Sequence, residues 1–185
     1  MNLQKKGSSN RKDNNITNKV TTVLFIIYLI ALFWILLFKL GVRFSYMENR
    51  KVNLIPFGEP LILNGKSDFG EIIMNVIIFV PLGIYAGILF KRWNVGKKFF
   101  FFFLTSLIVE ALQFIFRVGA FDITDTITNT LGGIVGLMIF KAIEKVFKTS
   151  AKAQKFINII AATGTVIMIL FLLLLKTNNL WIRYQ

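Results

Sequence analysis

The sequence contains no cysteine and no histidine. Disulfides, thiolate nucleophiles, Cys-ligated metals and imidazole acid–base chemistry are therefore excluded together. Any catalysis would fall to carboxylates, hydroxyls, amides, Lys or Arg. Acidic residues are scarce as well: nine Asp and Glu stand against 22 Lys and Arg in 185 residues, a net charge of +13. In a water-soluble domain that excess would point to nucleic acid. Charged residues, however, make up only 17% of the chain and apolar residues 55%, where soluble domains carry about 25% charged residues. The apolar residues come in long blocks, which leaves no soluble surface for a basic patch, and no nucleic-acid partner is expected.

Five blocks are predicted to cross a bilayer, each near the ~20 residues that crossing takes: residues 20–38, 72–90, 99–116, 123–140 and 156–175. The expected fold is all-α, a polytopic membrane helix bundle. Residues 1–19, polar and rich in Asn and Lys, are expected to be a basic flexible tail. Residues 20–141 would form the main membrane domain, and 156–175 an additional carboxyl-terminal helix facing lipid. The first block exceeds the ~7–15-residue core of a cleaved signal peptide, so a retained anchor is expected. Orientation follows from the basic residues. The tail carries Lys5, Lys6, Arg11, Lys12 and Lys19; the second link carries Lys91, Arg92, Lys97 and Lys98; the fourth carries Lys141, Lys145, Lys148, Lys152 and Lys155. Short cytoplasmic segments hold the excess of Lys and Arg, which places the amino terminus in the cytosol and the carboxyl terminus outside. Trp34, Trp93, Trp181 and Tyr184 fall close to span ends, as interfacial aromatics do.

With that orientation Asn75, Glu110, Gln113, Arg117, Asp122, Asp125 and Asn129 all lie toward the outer half of the membrane. Such residues are costly in hydrocarbon, by roughly 2.5–3.5 kcal/mol for a central Asp or Arg. Ser106, Glu110, Gln113 and Arg117 recur at helical spacing on one stripe of the third span, and Asp122, Asp125, Asn129, Gly132 and Gly136 on one stripe of the fourth. Gly132 and Gly136, with Gly83 and Gly87 in the second span just after Pro81, permit close helix approach. Three roles remain open for the cluster: hydrogen-bonded glue for the bundle, a site for a polar headgroup or peptide at the outer leaflet, and an ion pathway. The inner halves of the spans offer no acidic relay for the last. For catalysis, Glu110 would be the acid–base candidate, with Asp122 and Asp125 beside it. Two carboxylates are a thin set for a cation, and neither a metal nor a cofactor is expected.

The first link contains Asn53-Leu54-Ile55-Pro56-Phe57. Its apolar residues suit three arrangements: packing on helix ends, dipping into the membrane interface, or folding over the polar cluster as a lid. This motif is followed by Asn75-Val76-Ile77-Ile78-Phe79-Val80-Pro81-Leu82-Gly83, by Glu110-Ala111-Leu112-Gln113 and Arg117, and by the stretch Asp122 to Gly133. In this order and spacing, across residues 28–141, the chain resembles the VanZ-like family of bacterial membrane proteins. An apolar linker, Gly119-Ala120-Phe121, departs from that pattern between Arg117 and Asp122.

The resemblance implies a multi-pass protein of the bacterial plasma membrane and a link to teicoplanin-type glycopeptide resistance. It implies no particular reaction. Carried over as binding residues are Asn53, Asn75, Gln113, Arg117 and Asn129, with Glu110, Asp122 and Asp125 as catalytic candidates. The expected partners are membrane lipid and a lipid-linked cell-wall precursor or lipoglycopeptide at the outer leaflet. The alternatives are a membrane-embedded enzyme acting on a lipid-linked substrate, and a structural partner of another membrane protein docking through the Gly83 and Gly136 faces.

Overall fold

The computed structural model describes residues 2–38, 52–57, 62–63, 66–67, 69–116 and 118–176. They form five helices: α1 (Asn2–Phe38), α2 (Phe69–Leu89), α3 (Val95–Phe116), α4 (Ile123–Phe147) and α5 (Ser150–Lys176). All five hold a stretch long and apolar enough to cross a membrane. Two short strand pairs accompany them. β1 (Val52–Asn53) runs parallel to β4 (Phe121–Asp122), and β2 (Ile62–Leu63) pairs antiparallel with β3 (Lys66–Ser67).

The helices overshoot the apolar blocks that define the spans. Helix α3 begins at Val95 rather than Phe99, and α4 continues past Phe140 to Phe147. A nucleated helix propagates cheaply through Lys and Glu, which are good helix formers. The 25 residues of α4 rise roughly 37 Å, more than a ~30 Å hydrocarbon core. Its basic end therefore reaches the headgroups, where Lys stems lie along apolar surface and the amines stay wet. The same propagation applies to α1, which starts at Asn2. The segment expected as a flexible tail is helical, and no proline interrupts it.

Caps set the other ends. Asn94 Oδ1 accepts the Lys97 N–H at 2.8 Å and starts α3. Lys148, at φ 57°, ends α4 in the left-handed conformation. Thr149 then opens α5, its hydroxyl accepting from the Lys152 N–H at 3.4 Å.

Helix α4 is central, packed against α2 and α3, which touch each other little. Glycine makes this possible. A Cβ at Gly132 would strike the Val76 carbonyl, one at Gly136 the Val80 carbonyl, and one at Gly83 the Gly133 carbonyl. Gly133 leaves its space to the ring of Phe102 on α3. The Gly83 and Gly136 faces are thus filled by each other's helices. These glycines serve packing within the bundle. Around them Phe79, Leu82, Phe102 and Val109 are fully buried, joined by Leu32 of α1. Pro81 has no N–H for the Ile77 carbonyl, and beside that gap the Tyr28 hydroxyl donates to the Ile78 carbonyl at 2.8 Å.

Helix α5 is mostly exposed beyond Asn158, through Ile159, Ile167, Leu170 and Leu172. Its first turns are not. Gln154 and Asn158 are buried against Asn18 and Thr21 of α1.

Candidate functional site

At the end of the bundle where α3 stops and α4 starts, polar residues from four segments converge. The anchor is Asp122, the N-cap of α4. Its extended backbone (φ −123°, ψ 121°) turns the side chain back so that Oδ1 accepts the Thr124 N–H at 2.7 Å. The backbone N–H of Asp122 lies outside the helical ladder and donates to Glu110 Oε2 at 3.1 Å. Glu110 is only 2% exposed. Its carboxylate sits at the positive end of the α4 dipole, where an anion is stabilised.

Asp122 uses its second oxygen on another segment: Asn53 Nδ2 donates to Oδ2 at 3.2 Å. The contact is enforced by the parallel pairing of β1 with β4, which sets Asn53 opposite Asp122. Asn53 also closes a local turn, Oδ1 accepting the Ile55 N–H at 3.1 Å. The chain then returns to α4, and the Phe57 N–H donates to Thr124 Oγ1 at 3.1 Å. Phe57 takes φ 56° to do so. Segment 52–57 is thereby strapped over the first turn of α4 at both of its ends.

The other contacts run between helices. Asn75 of α2 donates through Nδ2 to Asp125 Oδ1 at 2.8 Å. Deeper, Asn129 Nδ2 donates to Ser106 Oγ at 2.9 Å. Both residues are buried, and Asn129 Oδ1 and Thr126 Oγ1 have no hydrogen-bond partner among the described residues. These bonds form three sets, Asn53–Asp122–Glu110, Asn75–Asp125 and Asn129–Ser106, each with one member on α4 or its N-cap. Gln113 turns elsewhere: its Nε2 donates at 2.9 Å to the Leu36 carbonyl of α1, in a last turn whose carbonyls lack helical partners. Arg117 lies outside the described residues.

The hydrogen bonds above employ the three carboxylates as acceptors of N–H groups. They bind the α4 start, α2 and segment 52–57 into one unit. No group of three or more acids able to hold a metal occurs among the described residues. Leu54, Ile55 and Phe57 are exposed at 65%, 69% and 57%, so they do not pack on the helix ends.

A second buried polar network was not expected from the sequence. Gln154 Nε2 donates to Thr21 Oγ1 at 2.7 Å and to Asn18 Oδ1 at 2.9 Å. Thr21 Oγ1 lies 3.0 Å from Asn158 Oδ1, and Asn158 Nδ2 donates to the Thr17 carbonyl at 3.2 Å. The signal was present: Gln154 and Asn158 are one turn apart on an apolar helix, and Thr17 and Thr21 are spaced alike.

Five membrane-spanning helices that turn their amides, hydroxyls and acids inward define a polytopic α-helical membrane protein. The profile of the VanZ/LLP1 family matches residues 25–148. The chain belongs to that family. It is 39% identical over 165 residues to Protein VanZ of Enterococcus faecium, covering 87% of this chain and 94% of that one. A stretch this long cannot fit within residues 1–148, so the similarity to that relative runs into α5. No solved structure matches.

Proposed function

We propose that the chain acts in the bacterial cell envelope in teicoplanin-type glycopeptide resistance, with its polar cluster facing the outer leaflet. There it engages a lipid-linked precursor or a lipid-tailed glycopeptide. Family membership and the likeness to Protein VanZ support the resistance role. The bias of Lys and Arg supports the orientation. The observation that carries the site is Glu110, a carboxylate held almost without exposure by the Asp122 N–H at the start of α4, the same turn to which hydrogen bonds from Asn53 and Phe57 fix segment 52–57. Intramembrane acids of this kind mark functional positions by default. In this arrangement a polar headgroup reaches Asp122 and Glu110 by displacing Asn53.

The test is complementation of a deletion strain, comparing susceptibility to teicoplanin and to vancomycin. The unaltered chain should restore teicoplanin tolerance selectively. The Glu110→Gln variant should accumulate in the membrane and fail to restore it. Unchanged susceptibility to both drugs on deletion removes the resistance role. Full rescue by Glu110→Gln removes Glu110 from the site. An enzyme acting on a lipid-linked substrate is the alternative, with Asp122 and Asp125 beside Glu110, and it predicts the same loss accompanied by accumulation of an unprocessed lipid.

A further inference from the structure

Segment 52–57 combines two features that rarely occur together. Its backbone is pinned, by the pairing of Asn53 with Asp122, the Asn53 turn and the Phe57–Thr124 hydrogen bond. Three large apolar side chains at its tip, Leu54, Ile55 and Phe57, are exposed, as is Val52 at its start. A water-facing loop gains nothing from three such residues held outward. A left-handed Phe57 is uncommon for a bulky side chain. Something must offset that arrangement.

The level of the segment says what meets it. Its two attachment points, Asp122 and Thr124, belong to the first turn of α4, where a membrane-spanning stretch begins. The first turns of α2 expose Phe69, Ile73 and Met74, and the last turn of α3 exposes Ile115 and Phe116. These are the mouths of spans that begin or end at the same side of the bundle, so an apolar surface continues around the segment. Anionic or polar partners have no cationic side chain to meet between Val52 and Phe57.

We infer that residues 54–57 form an interfacial anchor, with Leu54, Ile55 and Phe57 seated among phospholipid acyl chains at the membrane boundary. The strap then has two faces. Its Asn53 amide faces the polar cluster, and its apolar tip faces lipid. Because Asn53 holds Asp122, and the N–H of Asp122 holds Glu110, the depth of the tip is mechanically linked to the polar cluster. The inference needs neither the resistance role nor a particular orientation of the chain.

The absence of native cysteine makes the test direct. Single nitroxide labels are placed at Leu54→Cys, Ile55→Cys and Phe57→Cys in the full chain. The protein is reconstituted in phosphatidylcholine–phosphatidylglycerol vesicles. Accessibility to oxygen and to a water-soluble nickel complex is then measured. Ile73→Cys serves as the lipid reference and Arg92→Cys as the water reference. All three tip labels should match Ile73→Cys, favouring oxygen, and Asn53→Ala should shift the Ile55→Cys label toward nickel. Tip labels that match Arg92→Cys overturn the anchor. Dipolar broadening between copies at these positions also overturns it and assigns the tip to a self-association contact. Unchanged depth in the Asn53→Ala background refutes the link to the cluster. Unaltered elution and melting of each labelled variant establishes that the fold is intact.

Discussion

Gly136 shows how little freedom single positions have in this bundle. Its missing Cβ is where the Val80 carbonyl lies, and the Gly83 Cα is 2.9 Å from where that Cβ would sit. Both obstacles are backbone, so no rotamer change relieves them. Gly136→Ala should therefore destabilise the protein by about 1–3 kcal/mol, the usual cost of overpacking, seen as a lower melting temperature in detergent. At Gly164, where nothing lies within 4 Å, the same substitution should be neutral or slightly stabilising, since Ala is the better helix former. Equal responses at the two positions would contradict the close α2–α4 approach. The polar residues differ from the glycines in having several satisfiable partners. Asp122 serves the α4 cap and segment 52–57 at once, and spacing along the sequence reveals only the first of these.

At the scale of elements, α5 is joined to the bundle by polar contacts as much as by packing. Thr21, Gln154 and Asn158 are each at most 6% exposed. They bond across more than 130 residues of chain. Within hydrocarbon such bonds average only ~0.6 kcal/mol, because separated helices find other partners. A double-mutant cycle of Thr21→Val and Gln154→Leu should give a coupling near that value, about 0.5–1.5 kcal/mol, in reversible unfolding. Zero coupling would mean that Ala153 and Ile157, buried beside Ile88 and Phe140, dock α5 unaided. The alignment with the Enterococcus faecium relative extends beyond Lys148 into α5.

For the whole molecule, the remaining question is which side of the membrane the cluster occupies. The basic segments predict that α1 begins in the cytosol. Single cysteines at Ser45, Thr149 and Gln185 should be labelled by an impermeant reagent in intact cells at the first and last only. Labelling at Thr149 would invert the molecule and place the Glu110 face toward the cytosol. The resistance role would then need an intracellular ligand, while the bundle itself would stand.

The sequence alone determined the number of spans and their approximate bounds. Each of these depends on the summed transfer free energy of a contiguous block, a local and additive quantity. The helical period also gathered Ser106 with Glu110 and Asp122 with Asp125, because neighbours on one helix are fixed by its geometry. Tertiary structure decided the partners. Gln113, on the same stripe as Glu110, bonds to Leu36 of α1 rather than to α4. Asn53 reaches Asp122 through a strand pair of two residues, and Thr17, Thr21, Gln154 and Asn158 form a network of their own. These choices depend on how far each helix is rotated and how closely it approaches its neighbours. Those variables are fixed when glycine, aromatic and amide surfaces from distant segments pack together, and a polar group takes whichever partner that packing brings within reach.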